Sequence, residues 1–204
     1  MNILFLTNNN ISFSLKDWLQ KTAVAKVVLW QEKLTPKVIA DHQPDLVISY
    51  NYKHIIKSDV LNILPGRVIN LHIALLPWNR GADPNVWSIL DATPKGVTIH
   101  LIDQGVDTGG IIIQKEVELD EAKETLASSY AILHQEIQAL FKANWQQIKI
   151  LKFKAQPQAG LGTAHRKKDF ELISSILGNE GWDITIPELK RRYSGLRKEA
   201  VISV

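Results

Sequence analysis

The chain has 204 residues, the size of one ordinary domain or of a domain with a short appendage. Apolar residues make up 45% and charged residues 22%, which excludes a disordered tail, a collagen-like fibre and a coiled coil. With no Cys, disulfides, thiolate zinc sites, iron–sulfur clusters and cysteine nucleophiles are excluded together, and 24 Lys+Arg against 21 Asp+Glu is too balanced to point to nucleic acid.

Met1–Thr7 has no basic region and too short an apolar run for a signal peptide, and no stretch approaches the ~18 apolar residues of a membrane span. A cytoplasmic chain with no membrane partner is expected. Ile3–Leu6 reads as a buried strand, followed by a polar turn at Thr7–Asn10 and a helix near Phe13–Gln20. Val24–Trp30 is again apolar and β-branched, and Thr35–Asp41 is a helix with Pro36 in its first turn behind a Thr cap. Asp45–Ser49 is a third strand, Ser58–Ile63 a short helix, and Val68–Leu71 a fourth strand after the Pro65-Gly66 turn. Strands alternating with helices predict an α/β fold with a mostly parallel sheet and helices on both faces.

The middle of the chain differs. Asp83–Leu90 is a helix entered through Pro84, and Gly96–Ile102 and Gly110–Leu119 are strands. Lys123–Trp145 is one long helix, with Leu126, Tyr130, Leu133, Ile137, Leu140, Phe141 and Trp145 at three- and four-residue steps. Lys149–Phe153 is a short strand candidate, Gln156–Thr163 a loop, and short amphipathic helices are expected near Asp169–Leu177 and Pro187–Tyr193. Residues 1–150 are expected to form the catalytic domain and residues 151–204 a C-terminal extension packed on it.

Ligands of open α/β sheets bind where strands end, near a switch in strand order. Asn70 and His72, two apart in a strand, point to one face and offer an amide donor beside an imidazole, as an acyl-transfer oxyanion requires. The plain alternative is a strand-end histidine that satisfies a loop carbonyl. Asp103-Gln104-Gly105-Val106-Asp107-Thr108-Gly109-Gly110 packs three glycines and two carboxylates into a tight loop. A carboxylate there could orient His72, or could merely satisfy loop backbone. Trp78 and Arg80 suit a ring and an anion, or else anchor a loop. Tyr50 and Tyr52 end the third strand, where core packing is the ordinary use of either ring. No His/Asp/Glu cluster has metal-ligand spacing, and His100, within a strand, suits packing or a hydrogen bond better than catalysis.

Together, Asn70-x-His72, Leu75-Leu76-Pro77, Arg80-Gly81, Gly96-Val97-Thr98-Ile99-His100 and Asp107-Thr108-Gly109 resemble the formyltransferases that use 10-formyltetrahydrofolate, in the same order and at that family's spacing. The resemblance covers about residues 1–150. It implies a Rossmann-like domain, a formyl donor but no metal, and catalytic groups at Asn70, His72 and Asp107. It also implies that the folate pterin is held by Tyr50, Tyr52, Lys53, His54 and Ile55 together with Asp103, Gly105 and Gly110.

The family divides by the amine that is formylated. Glycinamide ribonucleotide enzymes carry a Gly/Ser-rich phosphate loop after the first strand, where this chain has Thr7-Asn8-Asn9-Asn10. Methionyl-tRNA enzymes carry a further RNA-binding β domain, for which this chain is too short. From Arg166 to Glu199 its tail holds 8 Lys/Arg and 6 Asp/Glu, no basic RNA face. Leu75–Pro84 resembles the nucleotide-sugar N-formyltransferases, as do Gly162–Asp169 and Gly178–Pro187 less specifically. That resemblance implies a dTDP-4-amino-4,6-dideoxyhexose type of substrate and a setting in lipopolysaccharide O-antigen synthesis, with Asn9, Trp78 and Arg80 near the substrate. Relatives often pair as homodimers through the C-terminal region. The alternatives are a phosphoribosylglycinamide formyltransferase or a formyltetrahydrofolate hydrolase.

Overall fold

A computed structural model describes residues 1–22 and 26–202, with side chains placed through Arg197. The strands are β1 (Asn2–Leu6), β2 (Lys26–Trp30), β3 (Leu46–Ser49), β4 (Val68–His72), β5 (Arg80–Gly81), β6 (Gly96–Leu101), β7 (Ile111–Glu116) and β8 (Ala164–His165). The α-helices are α1 (Phe13–Thr22), α2 (Pro36–His42), α3 (Ser58–Leu61), α4 (Pro84–Leu90), α5 (Leu126–Ile148), α6 (Phe170–Ser174) and α7 (Ile186–Ile202). The six-stranded sheet has the order β2-β1-β3-β4-β6-β7, parallel from β2 through β4 and antiparallel between β4 and β6. β5 and β8 form a separate two-stranded parallel ladder.

The chain divides into two compact units, each built from separate stretches. The first comprises residues 1–72, 98–114 and 137–159, the second residues 73–97, 115–136 and 160–204.

In the first unit the connection from β1 to β2 steps one way along the sheet, and that from β2 to β3 steps back past β1. Right-handed crossovers therefore put α1 and α2 on opposite faces. Packing agrees: Leu4 and Leu6 of β1 bury against Val38 and Ile39 of α2 and Val60 of α3, with Val47 and Val68 beside them. Strand alternation sends Ile3 and Phe5 to the face of α1, whose Leu15 and Leu19 are fully buried. There Trp18 packs edge-on to Phe141 and Trp145 of α5, each ring 6.4 Å away. Each such aliphatic side chain withdrawn from water contributes about 1.5–3 kcal/mol. The start of α2 follows its sequence signals, with Pro36 in the first turn and Thr35 Oγ1 accepting from Val38 N at 3.4 Å.

In the second unit Val86, Trp87 and Ile89 of α4 form a core with Leu126, Ile173 of α6, Ile184, Ile186 and Leu189 of α7. The Glu121 carboxylate is held between Lys95, at 2.8 Å, and Lys190. Partial burial raises its pKa, but hydrogen bonds from the two ammonium groups outweigh that and lower it.

Several elements differ from the sequence expectation. Lys149–Phe153 is not a strand. Helix α5 closes there in a Schellman turn, with Lys152 N on Gln147 O at 3.0 Å, Leu151 N on Ile148 O at 3.0 Å, and Leu151 at φ 53° where glycine is usual. The alternation of Ile150, Leu151 and Phe153 imitates a strand but marks a helix end. Helix α5 starts at Leu126, not Lys123, because Thr125 and Ser128 cap it reciprocally: Ser128 N donates to Thr125 Oγ1 at 3.1 Å and Thr125 N to Ser128 Oγ at 2.8 Å. Strand β7 is shorter than Gly110–Leu119, and α7 continues well past Tyr193. Val24 and Ala25 of the predicted second strand lie outside the described residues.

His134 is 1% exposed on α5, its ring 4.2 Å from that of Tyr130, and burial pushes the imidazole pKa down to about 4. Between its ordinary value of about 6.5 and 4, the unfolded chain binds a proton there that the folded chain does not. Stability is therefore intact above pH ~6.5 and falls by on the order of 3 kcal/mol as pH drops to ~4. Urea unfolding across that window should show this slope in the native protein and lose it in His134→Leu.

Candidate active site

Four side chains of β4 and β6 share one face because of their register: Asn70 lies opposite His100 and His72 opposite Thr98. The loop after β6 brings Asp107 to this face. Asn70 Nδ2 donates to Asp107 Oδ1 at 3.1 Å, and His100 Nε2 lies 3.4 Å from the same oxygen. Asp107 Oδ2 stands 3.7 Å from His72 Nδ1, within ion-pair reach but too long for a hydrogen bond. One carboxylate, 14% exposed, thus collects an amide and two imidazoles whose side chains are 7% and 1% exposed.

The partners assign the amide and the tautomer. A carboxylate only accepts, so Asn70 turns its nitrogen to Asp107. The same nitrogen lies 3.2 Å from His100 Nε2, and His100 Nδ1 lies 2.8 Å from the Leu101 carbonyl oxygen. Nδ1 must therefore carry a hydrogen, and in the neutral ring Nε2 accepts the second N–H of Asn70. His100 is the group that sequence reading assigned to packing or hydrogen bonding. It does hydrogen-bond, and its partner is the predicted catalytic amide. Its one sequence signal is that Thr98-x-His100 repeats the spacing of Asn70-x-His72.

The carboxylate reaches this face through a constrained loop. Asp107 is left-handed, at φ 53°. A Cβ on Gly109 would lie 1.7 Å from the Leu101 carbonyl oxygen, and one on Gly105 would lie 2.0 Å from Thr108 Oγ1. Asp103 Oδ1 accepts from Gly105 N at 3.0 Å and from Thr108 Oγ1 at 2.6 Å, so its predicted site role is at least shared with turn-making. Gln158 Nε2 donates to the carbonyls of Asp107 and Gly109 at 2.7 and 2.8 Å, a contact that nothing in the sequence marks.

The other predicted residues of this unit are placed more variously. Tyr50 is fully buried, and its hydroxyl accepts from Gln138 Nε2 at 3.4 Å, so its ring packs in the core. Tyr52 is half-buried and donates its hydroxyl to the Glu32 carbonyl; burial pushes that hydroxyl above its ordinary pKa, against a backbone hydrogen bond at Leu34. Lys53 presents its backbone N to Asn8 Oδ1 at 3.0 Å while its side chain is exposed. The rings of Tyr52 and His54 meet edge-on at 5.2 Å, and His54 Nε2 is buried with no hydrogen-bond partner. Ile55 is 74% exposed and Val106 56% exposed. Asn9 accepts from Ile11 N at 3.1 Å, capping the short 3-10 helix Asn10–Ser12.

In the second unit Trp78 and Arg80 sit on the loop between Leu76 and α4, where the Leu76–Pro77 peptide is cis. Residues 163–165 brace it: Arg80 N donates to the Thr163 carbonyl at 3.0 Å and Ala82 N to the His165 carbonyl at 2.9 Å. Burial pushes the Asp83 carboxyl up, against the pull of Lys167. Among the described residues no group of three or more His, Cys, Asp or Glu side chains could hold a metal ion, and no helix is long and apolar enough to cross a membrane.

The formyl transferase family model matches residues 15–143, more than half of the chain. Among solved structures, the formyltransferase PseJ from Anoxybacillus kamchatkensis, crystallised with UDP-4,6-dideoxy-4-formamido-L-AltNAc and tetrahydrofolate, is 42% identical. Its TM-score is 0.85, over 93% of this chain and 97% of that one. Among curated relatives, dTDP-4-amino-4,6-dideoxyglucose formyltransferase of Mycobacterium tuberculosis is 35% identical over 67% of this chain, and methionyl-tRNA formyltransferase of Anaeromyxobacter dehalogenans is 38% identical over 58%. The chain spans only 57% and 39% of those two curated relatives.

Gly109→Ala should force the loop off Leu101 at a cost of about 2 kcal/mol or more. In a chain of this size that lowers the melting temperature by roughly 4–8 °C in calorimetry. An unchanged melting temperature would contradict the close approach.

Proposed function

The chain belongs to the formyl transferase family, and from that premise we propose that it transfers a formyl group from 10-formyltetrahydrofolate to the amine of a nucleotide-linked amino sugar. The observation that carries this reading is the convergence of Asn70 and His72 on Asp107 in a chain that matches a sugar-nucleotide formyltransferase along nearly its whole length. The PseJ structure supports a 4-amino-4,6-dideoxy sugar on a nucleoside diphosphate, and its UDP ligand supports uridine alongside the thymidine of the mycobacterial relative. In this reading residues 1–150 carry the formyl-transfer groups, residues 151–204 are a C-terminal extension, and Trp78 and Arg80 take the sugar nucleotide.

The residues present suit a flat heteroaromatic donor. Exposed Ile55 and Val106 lie on the two segments expected to hold the pterin, and the buried, unpartnered His54 Nε2 lies on one of them. When bound, the folate supplies the activated formyl carbon. Asn70 then donates to the formyl oxygen as negative charge develops there. The N–H it gives up is the one shared with His100, because that bond is between neutral groups while the bond to Asp107 is charge-assisted. His72 adds a second donor to the oxyanion, and Asp107 orients it and takes the proton of the attacking amine, directly or through water. The new bond joins the sugar nitrogen to the formyl carbon. The bond from that carbon to the folate nitrogen would break, and the proton that Asp107 took from the amine would pass to that nitrogen, directly or through water.

Tetrahydrofolate release from 10-formyltetrahydrofolate should depend on an added UDP- or dTDP-linked 4-amino-4,6-dideoxyhexose. Formate release without any amine would instead favour a hydrolase, and turnover of phosphoribosylglycinamide alone a purine enzyme. His72→Ala and Asp107→Ala should each lower kcat by about 10²–10⁴-fold with the melting temperature nearly kept. Near-normal turnover in either variant removes that residue from the mechanism.

A further inference from the structure

Resting on the formyl-transfer reading, we propose that Gln158 is a positioning residue: its amide holds the backbone turn that points the Asp107 carboxylate at Asn70 and His72. Asp107 is left-handed, at φ 53°, a conformation disfavoured for a residue with a side chain. A return to right-handed backbone would swing the carboxylate away from Asn70 Nδ2, 3.1 Å off. The ties of Asp103 to Gly105 and Thr108 hold the start of the loop, and a contact from outside it holds the turn at Asp107 itself. Gln158 Nε2 uses both of its hydrogens on this turn, one on the Asp107 carbonyl at 2.7 Å and one on the Gly109 carbonyl at 2.8 Å.

The strut has a firm base. Two residues earlier, Gln156 and Ile111 exchange both backbone hydrogen bonds at 2.8 Å, so the segment carrying Gln158 is pinned to the first residue of β7. The chemistry also selects the residue type. Two carbonyl oxygens need two donors from one nitrogen, and a neutral amide provides them without setting a positive charge beside Asp107. Glutamate in the same place would turn an oxygen toward each carbonyl. Sequence spacing offers no hint of this contact, since 51 residues separate Gln158 from Asp107.

The test compares Gln158→Leu and Gln158→Glu with the native chain. Gln158→Leu is expected to lower kcat about ten- to a hundredfold, the loss of two hydrogen bonds, while KM for donor and acceptor stays within about twofold. Because Gln158 acts through Asp107, Gln158→Leu should add nothing to the loss already caused by Asp107→Asn. A merely structural role would instead add its loss in both backgrounds, and that result overturns the proposal. Hydrogen exchange over residues 103–110 is an activity-independent measure: in Gln158→Leu and Gln158→Glu it should quicken at least about tenfold more than in β1 and β3. Unaltered exchange overturns the strut whatever the activity. An active native enzyme with a fully active Gln158→Leu overturns the positioning role alone. A native chain that never releases tetrahydrofolate overturns the formyl-transfer reading, with the strut still judged by exchange.

Discussion

Antiparallel pairing of β4 with β6 is the constraint from which the site follows. It sets Asn70 against His100 and His72 against Thr98, so four polar side chains crowd one face of the sheet. It also makes β6 end opposite Ile69, after it has run past His72 and Asn70. The loop that leaves β6 therefore has to turn back over the same face to bring Asp107 to Asn70. That return explains the cluster of constrained positions: left-handed Asp107, Gly109 pressed on the Leu101 carbonyl, and Gly105 against Thr108.

A carboxylate with so little exposure is expensive to withdraw from water unless its oxygens are matched. Here one oxygen accepts an amide hydrogen bond from Asn70 and the other lies within ion-pair reach of His72, with no Lys or Arg at either. A guanidinium in their place would hold the carboxylate more tightly, through two parallel charge-assisted hydrogen bonds. His100 accepts the second N–H of Asn70, so the amide is held by two partners.

The loop after β1 is tied into the scaffold through Asn8 and Asn9. Asn8 spans from the Gln31 carbonyl to the Lys53 backbone N at 2.9 and 3.0 Å, and Asn9 caps the following turn. Ser12 and Asn51 extend this scaffold, with Asn51 Nδ2 donating to Ser12 Oγ at 2.9 Å and Ser12 Oγ to the Tyr50 carbonyl at 3.2 Å. These short polar side chains tie together the ends of β1 and β3.

Local patterning determined most of the secondary structure. Continuous apolar runs marked β1, β3 and β4, the Thr35-Pro36 pair opened α2, and three- and four-residue steps revealed α5. It failed at Lys149–Phe153, where a short apolar alternation is equally compatible with a strand and with the closing turn of a helix. That Asn70, His72 and Asp107 belong together was legible only through the order and spacing of the family's motifs, since each segment alone has an ordinary structural use; the structure brings the three side chains to one place. Tertiary structure alone decided that Tyr50 is core, that His100 partners Asn70, and that Gln158 grips the Asp107 turn. The physical reason is range. Burial and hydrogen-bond partners arise between segments tens of residues apart, whereas sequence periodicity reports only the face that a residue shares with its immediate neighbours.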